Sequence, residues 1–141
     1  MLEPRQKIML TLGKAGCYFL SMVRIAESCL SNRRIDAIEK FLDCVQKGYC
    51  REDCFVENPA GVMNVLYGGR WEYHKEGPDY QPVNGEFEIL RFERATPEMV
   101  YSHFVYRDRA GCIYDPLGDS KTVAGGRLIS KRILKLVIGE G

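Results

Sequence analysis

A chain of 141 residues has room for one domain with a core of its own, burying roughly two-thirds of the surface its unfolded form exposes. Its 45% hydrophobic and 28% charged residues lie near the globular average, which excludes disordered, collagenous and transmembrane classes. Twenty Lys and Arg against nineteen Asp and Glu leave a formal charge of +1, too even a balance to argue for nucleic acid or an anionic membrane as partner.

The first thirteen residues contain no apolar run of signal-peptide length, because Lys7 and Thr11 interrupt it. The expected location is therefore the cytoplasm, and the six cysteines are expected to be free thiols and not a disulfide framework. Gly13 and Gly16 punctuate the chain as a loop leading into a helix at Cys17. From Cys17 to Leu30 only Ser21, Arg24, Glu27 and Ser28 break an apolar surface, the pattern of a helix buried in the middle of a domain. A second helix is expected over 34–47, where Ile35, Ile38, Phe41, Leu42 and Val45 recur at three- and four-residue steps before Gly48. A third, short helix should start with Asn58 as N-cap and Pro59 in its first turn, ending near Gly68-Gly69.

The second half reads differently. Trp71–His74, Phe87–Glu93, Val100–Tyr106, Cys112–Asp115 and Arg132–Ile138 are short β-type runs separated by Gly, Pro and Asp clusters. Helices first and antiparallel strands after predict a single α+β domain over 1–141, its N-terminal helices packed on a C-terminal antiparallel sheet.

A cysteine at the entry to a buried helix is chemically distinctive. The first backbone N–H groups of a helix lack intrahelical partners, and the helix dipole there favours an anion such as a thiolate. The same N–H groups can receive the oxyanion of a tetrahedral intermediate. Of the six cysteines, Cys17 sits at such a boundary, whereas Cys29 and Cys44 fall inside apolar helical patterns and Cys112 in a strand. Ser102–Gly118 reads as strand, turn, strand. With Gly111 as the bulge residue of a three-residue loop, Arg107 would face Gly111 and His103 would face Asp115. A carboxylate there could hold the imidazole in one tautomer and stabilise its protonated form, and Pro116 would end the pairing beside it. The plainer alternative is a core cysteine, a half-buried sheet histidine and an aspartate that opens a turn.

A Cys opening an N-terminal helix, then a His on a distant strand and an Asp-Pro one hairpin later, resembles the papain-like cysteine peptidase superfamily. The similarity is to its compact bacterial branch, which includes the double-glycine leader peptidase domains. Gly16-Cys-Tyr-Phe-Leu-Ser21 is similar to the nucleophile region, and His103–Tyr106 with Tyr114–Gly118 to the His strand and Asp-Pro turn. The resemblance implies a papain-like fold with Cys17 as nucleophile, His103 as general base and acid, and Asp115 as orienting residue. It also implies an upstream glutamine that donates to the oxyanion. That position holds Thr11, so Gln6 is the nearest candidate, beside the backbone N–H of Cys17.

Other features take plainer readings. Cys44, Cys50 and Cys54 lack the paired short knuckles of a zinc site, so no metal is expected. Gly68-Gly69 and Gly125-Gly126 lack the phosphate-loop pattern and are expected to be turns. Arg33-Arg34 and Lys131-Arg132 are isolated basic pairs, expected on the solvated surface. Trp71, Tyr73, Tyr80 and Phe87 flank a loop over 75–85 and are expected to pack beneath it, the alternative being a wall of a substrate groove. The expected function is a bacterial or phage cysteine hydrolase, a peptidase or amidase acting on a peptide or peptide-like substrate without a cofactor. The alternatives are a catalytically silent module that binds a peptide or protein, and acyl transfer by the same residues.

Overall fold

The computed structural model describes residues 3–116, 118 and 121–137. Four helices come first: α1 Pro4–Ala15, α2 Cys17–Cys29, α3 Ala37–Gln46 and α4 Pro59–Leu66. Strands follow: β1 Arg70–Glu76, β2 Glu86–Ala95, β3 Val100–Arg107, β4 Ile113–Tyr114 and β5 Arg127–Val137, with a short helix α5, Lys121–Gly125, before β5. The strands form one sheet in the order β1-β5-β2-β3-β4, each pair antiparallel. The α+β expectation holds. Among the described residues no single helix is long and apolar enough to cross a membrane.

The core is organised around α2, whose Phe19, Met22, Ile25 and Ala26 are fully buried. They pack in one cluster with Phe41 of α3, Val62 and Met63 of α4, and the sheet residues Trp71, Ile89, Tyr106 and Leu134. Each helix start has a local cause. Asp36 caps α3 by accepting from the N–H groups of Ile38 and Glu39, so the helix begins at Ala37 and not at Arg34. Asn58 caps α4 by accepting from the Gly61 N–H at 3.0 Å, as its position before Pro59 predicts.

Helix α1 is the element that periodicity does not announce. Met9 and Leu10 are more than half exposed, so its apolar residues mark no single face. Gly13 therefore lies inside a helix and not in a loop, and Gly16 alone makes the break. Its N–H closes α1 on the Leu12 carbonyl at 2.9 Å, while its own carbonyl takes the Leu20 N–H at 2.7 Å as α2 begins. A side chain at Gly16 would bring a Cβ within 2.5 Å of the Leu12 carbonyl oxygen. Glycine is thus what lets two helices, bent by 96°, share one residue and place Cys17 in the first turn of the second.

Candidate active site

Cys17 is the first residue of α2, and no side chain caps that helix end. The N–H groups of Cys17, Tyr18 and Phe19 precede the Leu20-to-Gly16 bond, leaving the dipole end of a buried helix beside the thiol. The ring of Tyr18 stacks on Phe104 with centroids 4.7 Å apart. This anchors the start of α2 to β3, next to His103.

His103 is 3% exposed, and its Nε2 lies 2.6 Å from Asp115 Oδ1. The Asp115 side chain is itself 8% exposed. The Cys17 thiol is the ring's other partner. Burial opposes protonation of His103, but the hydrogen bonds and charges of Cys17 and Asp115 outweigh it and hold its pKa above the ordinary histidine value. The structure therefore brings together the three residues singled out in the sequence.

It does so by a different register from the expected one. Arg107 faces Ile113 and Tyr106 faces Tyr114, so His103 and Asp115 are diagonal neighbours and not directly opposite residues. The cause is Asp108, whose carboxylate accepts from the Ala110 and Cys112 N–H groups. It organises a loop over 108–112 in place of the expected three-residue one. Gly111 adopts a φ of 87° there, the left-handed conformation its expected role requires, and Cys112 lies exposed in the loop, outside the strand. Beyond the hairpin the Gly118 N–H closes a turn on the Asp115 carbonyl at 2.9 Å.

Gln6 is not at the site, which corrects its expected oxyanion role. Its side-chain Oε1 accepts from the Glu3 N–H at 3.0 Å, part of a capping box that starts α1. It lies ten positions before Gly16, about 15 Å along the helix axis.

The remaining thiols differ from Cys17 in setting. Burial pushes the Cys29 thiol up. Burial, then the charges of Asp53 and Cys17, push Cys54 up to about 11. The Cys44 and Cys50 thiols are buried and hydrogen-bonded to each other, and that bond together with burial keeps Cys50 protonated. Among the described residues no group of three or more His, Cys, Asp or Glu side chains could hold a metal ion.

A cavity of about 760 Å³ opens beside Cys17, floored by Tyr18 and Phe104 and bounded by Cys54, Arg91, Ser102 and Arg132. The basic pair Lys131-Arg132 is not on the surface as expected: the two residues are 1% and 8% exposed. Alternation along β5 sends them to opposite faces of the sheet. Lys131 meets Glu88 at 2.9 Å and the Tyr80 carbonyl at 2.6 Å. Arg132 lines the Cys17 cavity. Nor do the aromatics on β1 all pack under the loop before β2, since Tyr73 lines this same cavity.

The family model described as "Protein of unknown function, DUF261" matches residues 1–136. The chain belongs to the DUF261 family. Comparison with curated proteins and with solved structures finds no match.

The raised His103 pKa has a stability consequence. A histidine whose folded pKa exceeds its unfolded value near ~6.5 contributes stability that is fully present below that value. The contribution is lost as pH rises through the folded pKa. Asp115→Asn removes one of the raising partners. The stability gap between this DUF261 chain and the variant should therefore be widest in mildly acidic solution, where the carboxylate is still ionised, and narrow as pH rises past neutrality, read from urea midpoints across the range. His74, the other histidine, is present in both proteins and cancels.

Proposed function

We propose that the chain is a papain-like cysteine hydrolase cleaving a peptide-type amide bond, in a free peptide or in a cell-wall peptide cross-bridge of the kind bacterial and phage lytic enzymes attack. One observation carries this reading: a nearly buried imidazole set between the thiol of the first residue of α2 and a carboxylate 2.6 Å away. Nucleophilic catalysis needs an acceptor for the thiol proton and an anion that orients it, and this arrangement offers both.

With Nε2 turned to Asp115, Nδ1 of His103 takes the Cys17 proton. The thiolate attacks the carbonyl carbon, and the oxyanion settles on the N–H groups at the start of α2, that of Cys17 foremost. His103 returns its proton to the leaving amine as the C–N bond breaks, giving a thioester on Cys17. Water then attacks the thioester, losing a proton to His103, and the acid product leaves as the thiol is restored. No cofactor enters the scheme.

An activated ester tests it without knowledge of the natural substrate. Incubation with p-nitrophenyl acetate should release p-nitrophenolate in a burst and leave an acetyl group on the peptide containing Cys17, located by mass spectrometry. The Cys17→Ala variant should show neither. If the wild-type chain acquires no acyl group at Cys17, hydrolysis fails and a peptide-binding role without turnover becomes the better reading.

A further inference from the structure

The cavity beside Cys17 is lined by cations that no described carboxylate meets in an ion pair. Arg91 and Arg132 lie on the helix-facing side of the sheet, their guanidinium carbons 5.9 Å and 5.4 Å from the centre of the Phe104 ring. Arg91 donates to Ser102 Oγ at 3.1 Å and Arg132 to Ser130 Oγ at 2.9 Å. Both partners are neutral hydroxyls. Among the described residues neither arginine forms an ion pair, and neither does Lys75, which also lines the cavity. The buried Nε of Arg91 has no hydrogen-bond partner.

Two carboxylates also line the cavity, Asp53 and Glu57, but neither pairs with these cations. Glu57 pairs with Arg51, and Asp53 accepts from the Phe55 N–H at 3.1 Å. The opposite face of the sheet shows the contrast, because Lys131 and Arg107 there both meet Glu88. Holding a cation as buried as Arg132 away from water costs free energy unless an anion compensates. Guanidinium groups are suited to carboxylates, which they can grip through two parallel bonds.

We propose that this cavity is a substrate-recognition subsite for a carboxylate, taken by Arg132 and Arg91 over the Phe104 ring with Lys75 assisting from the exposed side. The inference rests on Cys17 being the nucleophile. It makes the substrate an acidic peptide, bearing either an acidic side chain or a free chain terminus near the scissile bond.

The test compares iodoacetate with iodoacetamide, near-isosteric reagents of which the first is an anion. The iodoacetate-to-iodoacetamide rate ratio at Cys17, normalised to glutathione, should exceed unity by about tenfold. It should fall toward unity in Arg91→Gln and Arg132→Gln, both of which keep His103. If Arg132→Gln does not fold by circular dichroism, Arg91→Gln and Lys75→Gln carry the comparison. An unchanged ratio in the folded variants overturns the subsite and leaves the triad untouched. Failure of the triad shows separately, as a Cys17 that iodoacetamide modifies no faster than the other thiols. Protection of Cys17 by N-acetyl-glutamate amide, with only a side-chain carboxylate, or by N-acetyl-glutamine, with only a terminal one, identifies the source of the anion. Equal protection by these and by the uncharged N-acetyl-glutamine amide overturns the proposal.

Discussion

Replacing His103 by alanine is expected to slow acylation of Cys17 by about 10²–10⁴-fold, the usual contribution of a positioned general base. The ring is the shared partner of Cys17 and Asp115, so its removal separates the thiol from its proton acceptor and from the anion that stabilises the resulting cation. Stopped-flow release of p-nitrophenolate from p-nitrophenyl acetate reads the effect, with circular dichroism to show that the variant is folded. The same variant leaves Asp115 buried without its imidazole, so a loss of stability is expected alongside. His103→Gln, which retains a donor toward the carboxylate, should recover stability without recovering acylation. A folded His103→Ala protein that acylates near the wild-type rate would remove the histidine from the mechanism.

The second large effect is structural. Phe19→Ala should destabilise the fold by about 3–5 kcal/mol, the range for emptying a buried aromatic site. Phe19 is fully buried, edge-on to Phe41 at 5.3 Å, two residues from the thiol. A domain of this size has about 5–15 kcal/mol of stability in total, so the variant would lose a large part of it. The urea midpoint measures the change. A loss below about 1 kcal/mol, no more than the average point substitution costs, would mean that α2 is not the centre of the core.

The legible parts of the fold were those where one physical signal dominates. The apolar surface of residues 17–29 marks a central helix, and Asn58 before Pro59 marks a helix start that the hydrogen bond to Gly61 explains. Helix α1 is hidden because Met9 and Leu10 face solvent, so no apolar face repeats. The pairing of His103 with Asp115 is readable from the hairpin, but its register is not: Asp108 lengthens the turn with its own side chain. Gln6 fails as an oxyanion donor for a related reason, since its carboxamide serves the helix that spacing alone does not reveal.

Arg132 is the instructive omission. Two adjacent cations suggest a wet surface when charge alone is considered. The period of a strand instead separates Lys131 from Arg132 and puts the latter on the face of Leu134 and Leu136, which pack against the core. Strand β5 runs from Arg127, five positions earlier than the apolar run that reveals it. The period of the strand gives Arg132 its face, whereas its place beside Cys17 depends on how α2 packs on the sheet, which strand periodicity does not show.

The most direct measurement of the central claim is a rate map of iodoacetamide modification at pH 6 over all six cysteines, read by mass spectrometry of the digested protein. Cys17 should be modified fastest, ahead even of the exposed Cys112, and the advantage should disappear in His103→Ala. Six thiols ordered by their solvent exposure alone, with Cys112 first and no response to the loss of His103, would contradict the account.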